Sequence, residues 1–132
     1  MKSKDELVDF LKKQIKVENE IVNSLNSALT EIENPSVKGT LKGISLDSVK
    51  HAEMYDAAVK LLTGVPQALT QKQLDKQREL IEKHIRIEAD LIKRIGDVLP
   101  NIENEKVRLL LNAILSDEKR HHQLLKLSLI HI

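Results

Sequence analysis

Asp117-Glu118-Lys119-Arg120-His121-His122 has a second version seventy residues earlier, Asp47-Ser48-Val49-Lys50-His51. Glu118 and His121 stand three positions apart, which on a helix sets both on one face. Extended outward at the same offset, residues 13–51 match residues 83–121 at twelve of thirty-nine positions without a gap, where chance would give roughly two. The identities pair Glu18 with Glu88, Ile32-Glu33-Asn34 with Ile102-Glu103-Asn104, Val37 with Val107, Leu41 with Leu111, Ile44 with Ile114 and His51 with His121. The chain therefore reads as one helical hairpin present twice, over 1–62 and 71–132, with a linker at 63–70.

The helices are punctuated locally. Ser3 with Glu6 has the spacing of a capping box, and the apolar residues that follow recur at threes and fours, so helix A is expected over about 4–31. Asn34 then serves as an N-cap with Pro35 in the first helical position, and helix B runs until Thr63-Gly64-Val65-Pro66 stops it with a C-cap glycine and a proline. Gly39 and Gly43 lie inside helix B, and their spacing predicts close packing against another helix. Thr70 with Gln73 starts helix C, which reaches Pro100, and Asn104 caps helix D. The last residues, Leu127–Ile132, are apolar enough to be expected docked on the bundle or in a subunit contact.

Composition agrees with this plan and removes several classes of function. Charged residues make up 31% of the chain, yet 21 basic and 20 acidic side chains leave a net charge of +1, so no nucleic-acid-binding surface is expected. The absence of cysteine excludes disulfides, thiolate catalysis and Cys-type zinc or iron–sulfur sites. No apolar run approaches the roughly 20 residues of a membrane span, and no secretory leader opens the sequence; no membrane partner and a cytoplasmic location are the expectations. One domain is expected at 132 residues.

Each hairpin has one apolar face, and two such faces closing on each other give an all-α four-helix bundle. The expected core stripe of helix D is Val107, Leu111, Ile114, Glu118, His121 and Leu125, and its copy in helix B is Val37, Leu41, Ile44, Ser48, His51 and Tyr55. Helices A and C add Glu18 and Glu88 at the same level. Three carboxylates in an apolar seam need compensation, and a metal ion supplies it. Asp47, four residues before His51, and His84, one turn before Glu88, are additional candidate ligands. His122 and His131 are expected at the surface.

One Glu from each of two helices, with Glu-x-x-His from each of the other two, is the ligand set of ferritin-like di-iron carboxylate proteins. The segments 117–125, Asp-Glu-Lys-Arg-His-His-Gln-Leu-Leu, and 50–54, Lys-His-Ala-Glu-Met, resemble the second-helix motifs of the rubrerythrin branch of that superfamily. The resemblance spans essentially the whole chain. It implies that Glu18 and Glu88 are the single-helix carboxylates, Glu118 and His121 a complete Glu-x-x-His, and His51 the histidine of its partner. It also implies iron, with ferrous oxidation or peroxide reduction as the activity. Ser48 departs from the pattern by standing where the family has Glu. Such a donor set accommodates two irons, a single metal, or zinc or manganese. With no Cys-x-x-Cys module, electrons would come from a separate donor protein. The contrasting expectation is a non-catalytic helical module that binds a subunit or partner through its apolar faces.

Ferritin-type topology requires a crossover between helices B and C. The breaker region, about ten residues, reaches at most roughly 35 Å, against helices about 40 Å long. Three arrangements meet that limit: a later start for helix C, a simple up-down-up-down bundle, or a domain-swapped homodimer.

Overall fold

The computed structural model describes residues 3–64 and 68–130, and among these it contains four α-helices, one 3-10 turn and no strand. The helices are α1 (Lys4–Leu29), α2 (Pro35–Thr63), α3 (Gln71–Val98) and α4 (Glu105–Ile130), with the 3-10 turn at Leu99–Asn101. They form two compact units, unit 1 (Met1–Gln67) and unit 2 (Ala68–Ile132). In unit 1, α1 packs on α2; in unit 2, α3 packs on α4.

Side chains at the helix starts satisfy backbone N–H groups that have no partner within the helix. Ser3 Oγ accepts from the Glu6 N–H at 3.2 Å. Asn34 Oδ1 accepts from Ser36 and Val37 at 3.0 and 3.3 Å, and Asn104 Oδ1 accepts from Lys106 and Val107 at 3.0 and 3.2 Å. The two copies of the turn are thus built alike. Thr70 and Gln73 complete a reciprocal capping box, so helix C begins where its sequence signal stands and the later start is ruled out. At the end of α2, Gly64 closes the helix in an extended rather than left-handed conformation. Its N–H donates to Lys60 O at 2.7 Å, and a Cβ there would lie 2.7 Å from the same oxygen, so the close approach requires glycine. Val65 and Pro66, the rest of the expected stop, lie outside the described residues.

The seams follow the repeat. From Ile81 of α3 into the 3-10 turn the half-buried residues are Ile81, Ile85, Glu88, Ile92, Ile95 and Leu99, at threes and fours. In α4 the half-buried residues of the seam are Leu111, Leu115, Glu118, His121, His122, Leu125 and Leu129, which keeps Leu111, Glu118, His121 and Leu125 of the stripe drawn from sequence and corrects it at Val107 and Ile114. Val107 and Ile114 are 41% and 45% exposed, on a flank adjoining the seam. The apolar arc of α4 is wide enough for two stripes, and α3 covers the one through Leu115 and His122. His122 is consequently half-buried rather than on the surface. In α2 the corresponding seam is Leu41, Ser45, Ser48, Ala52, Tyr55 and Val59.

Buried residues occur in unit 1 alone among the described residues: Val8, Leu11, Leu29, Ser45 and Ser48. The small seam residues of α2 allow α1 close access, whereas Leu115, Glu118 and His122 fill the equivalent space in unit 2. Buried Ser45 donates its hydroxyl to Asn26 Oδ1 at 2.8 Å, tying the two helices of unit 1 together. Close packing at Gly43 is not observed, since a Cβ built there meets nothing within 4 Å, and Gly39 is exposed. In the C-terminal segment Leu129 is half-buried in the seam, whereas Leu127 and Ile130 stay exposed, so the segment is docked on its hairpin by one side only; His131 and Ile132 lie outside the described residues.

Two stability changes follow from these environments. Gly43→Ala and Gly96→Ala, both in open space on helices, should each stabilise the chain by about 0.5–1 kcal/mol, read as a higher midpoint in urea. Asn26→Ala deprives the buried Ser45 hydroxyl of its acceptor and should cost about 1–2 kcal/mol; the double variant with Ser45→Ala should lose less than the sum of the two.

Candidate metal centre

Unit 2 brings three ligand-type side chains together. One ligand atom each from Glu88 on α3 and from Glu118 and His121 on α4 fall within 4.8 Å of one another. Glu118 and His121 are one helical turn apart, with His121 Nδ1 3.9 Å from Glu118 Oε2. Glu88 belongs to the α3 seam and reaches the pair across the hairpin. Atoms on opposite sides of a single ion, with metal–ligand bonds of about 2.0–2.2 Å, lie at most about 4.4 Å apart. The observed spread closes to that by small side-chain rotations.

The environment supports the donor chemistry. Glu118 is 18% exposed and His121 37%. Glu88 Oε2 and Glu118 Oε2 are shielded from solvent and have no hydrogen-bond partner. A shielded carboxylate oxygen without a donor is costly unless a cation faces it. Beside the cluster, His84, Glu88, His121, Leu124, Leu125 and Ser128 line a shallow cavity of about 290 Å³. His84 is exposed and lies on the rim of the cluster rather than within it.

Unit 1 holds the reduced version. His51 Nδ1 lies 3.6 Å from Glu18 Oε1, and Glu18 Oε2 is shielded and unpartnered. Ser48, at the place of Glu118, is 5% exposed and offers a neutral hydroxyl. Asp47 pairs with Lys50 at 3.3 Å, an i,i+3 contact along the helix surface, and joins no cluster of three ligand-type groups among the described residues. Its counterpart Asp117 pairs with Arg120 in the same way.

The residue that sequence reasoning missed is His122. Its Nδ1 is shielded and lacks a partner, although the ring belongs to the α4 seam next to Glu118. The one available signal was its spacing of four from Glu118, which on a helix is as close as the spacing of three to His121.

The shielded oxygens set an expectation for the metal-free protein. Glu118→Leu removes a poorly solvated carboxylate from an apolar seam and should leave the metal-free chain as stable or about 1 kcal/mol more stable, measured by urea unfolding in a chelator. A clear loss of stability would show that Glu118 holds the hairpin together through some other contact. In comparisons with known proteins, no family model, no curated protein and no solved structure matches this chain.

Proposed function

We propose that the chain is a metal-binding helical protein whose principal ligands are Glu88, Glu118 and His121, built on the ferritin-like, rubrerythrin-related plan that its repeat and its 117–125 segment resemble. The observation carrying this reading is the meeting of three donors from two helices at a point where two carboxylate oxygens are shielded from solvent and have no hydrogen-bond donor. Two carboxylates and one imidazole are hard and borderline donors, suited to ferrous iron, manganese or zinc. Iron is the metal that the resemblance implies, and when bound it would supply the redox chemistry of ferrous oxidation or peroxide reduction, with electrons from a separate donor protein.

The chain's own contribution is positional. Glu118 and His121 are fixed relative to each other by one turn of helix, and the α3 seam holds Glu88 opposite them. Carboxylates can shift between one and two metal contacts as charge changes, while an imidazole stays terminal. Glu18 and His51 of unit 1 make a second, weaker pair of donors, without the carboxylate that Ser48 replaces.

A second reading is favoured by a separate observation, the exposed apolar residues along both hairpins. Ile44, Val49 and Met54 in unit 1 and Leu80, Ile87 and Ile114 in unit 2 are 40% exposed or more. A helical module that works only by docking to another protein would also present such faces.

Elemental analysis separates the two readings. Protein purified after growth with iron should carry iron, manganese or zinc, and Glu118→Ala, which removes a ligand outright, should lose at least the roughly ten- to hundredfold in affinity that loss of a partner behind a ligand costs. Addition of the metal at 100 times its dissociation constant should stabilise the wild type by about 2.7 kcal/mol and the variant by far less. A wild type that is metal-free after growth with iron, and is not stabilised by added metal, leaves the docking reading.

A further inference from the structure

A cavity of about 670 Å³ opens at the turn of unit 1, where Asn26 and Leu29 of α1 face Pro35, Lys38, Gly39 and Lys42 of α2. Its volume is that of a small-molecule site, about 300–1,000 Å³. Lys38 and Lys42 stand about 100° or more around the helix from Val37 and Ile44. The cavity is therefore on the other flank of the hairpin from those exposed apolar residues.

The polar groups around the cavity are positioned and unspent. Lys38 and Lys42 are one helical turn apart, and among the described residues neither side chain forms an ion pair or a hydrogen bond. By contrast, Lys50 and Lys60 are paired with Asp47 and Asp56. Buried Ser45 donates to Asn26 Oδ1, which holds that side chain in place and leaves its Nδ2 as a free donor. The start of α2 adds no donor of its own, because Asn34 Oδ1 already accepts from Ser36 and Val37. Leu29, Pro35 and the lysine methylenes supply apolar wall.

The repeat provides an internal comparison. At the matching places unit 2 has Gly96 for Asn26, Arg108 for Lys38, Leu109 for Gly39 and Asn112 for Lys42. Arg108 Nη2 donates to Ile102 O at 2.7 Å, so that cation closes its own turn. Unit 2 thus makes the same Asn-capped turn without the amide, without the second cation and with leucine where unit 1 has open space. The turn does not need Asn26, Gly39 and Lys42 in order to form.

We infer that this cavity binds a phosphate monoester carrying an apolar body. Two ammonium groups match the nearly double negative charge that such a phosphate has at neutral pH, and lysine binds phosphate as a point charge. Asn26 Nδ2 donates to a remaining phosphate oxygen, and the organic body rests on Leu29 and Pro35 in the space that Gly39 leaves. A carboxylate ligand would answer only one of the two lysines. The site is independent of the metal centre in unit 2.

Naphthyl phosphate is a suitable probe. The full-length protein is titrated with it in the presence of a chelator, so that no metal ion takes up the phosphate, and amide-detected NMR follows the complex. Binding should saturate, with shifts at the Asn26 side-chain amide and at the backbone N–H groups of Lys38, Gly39 and Lys42, and should weaken as salt is added. Inorganic phosphate and naphthol, each lacking half of the ligand, should bind about tenfold or more weakly. Lys42→Asn should cost about tenfold or more, the scale of a lost charge-assisted hydrogen bond. Gly39→Leu, which copies unit 2 and puts a better helix former in the helix, should abolish binding.

Affinity unchanged in both variants, inorganic phosphate held as tightly as the ester, shifts spread over other lysines, capture by anionic lipid vesicles alone, or no saturation would each overturn the inference. Circular dichroism checks that the variants remain helical. The comparison of the three ligands uses the wild type only, so it decides the matter even where a variant unfolds.

Discussion

Two carboxylates in a seam of leucine and isoleucine set the terms for unit 2. Glu88 and Glu118 stand at positions that elsewhere along α3 and α4 hold aliphatic side chains, and each has one oxygen with no partner. A hairpin selected for stability alone would fill those positions with apolar residues, because an unpaired buried charge weakens packing that has little surplus. The polar positions coincide in level across two helices, and His121 joins them from the adjoining flank. Within the hairpin, His121 Nδ1 lies 3.9 Å from Glu118 Oε2.

The two halves of the repeat have different physical characters. Ser45, Ser48 and Ala52 occupy the α2 positions that Leu115, Glu118 and His122 occupy in α4. In unit 1 the small residues let α1 and α2 approach closely, and the buried positions among the described residues lie there, with the Ser45–Asn26 hydrogen bond as a cross-link. In unit 2 the larger and charged residues leave the seam half-buried. Unit 1 packs more tightly at the level where unit 2 gathers Glu88, Glu118 and His121, and the difference between Ser48 and Glu118 contributes to both.

The sequence conveyed the local signals well and the tertiary ones less well. Asn34, Asn104, Thr70 and Gln73 cap helices where their spacing said they would, because a cap depends on neighbours within three residues. The meeting of Glu88 and Glu118 was also legible, since both occupy seam positions fixed by the 3.6-residue period. Val107 and Ile114 were misplaced in the α4 seam because Leu111, Ile114, Leu115 and Leu125 are all apolar, and periodicity cannot say which flank a neighbouring helix will cover. His122 was lost with the same error. Asp47 looked like a spare ligand until its pairing with Lys50 placed it on the helix surface. Gly43 showed the opposite ambiguity, for a glycine read as a close contact faces open space.

The repeated caps also govern how these hairpins can change over time. Glu118 stands fourteen positions after Asn104, and Ser48 fourteen after Asn34. Each residue added to an α-helix turns everything beyond it by about 100° and advances it about 1.5 Å. One insertion between cap and ligand would swing Glu118 off the seam and away from Glu88, and no later substitution in the helix would restore both its angle and its height. Residues added ahead of Asn34 or Asn104 leave the spacing from cap to seam unchanged, so the two caps fix the phase of everything that follows them.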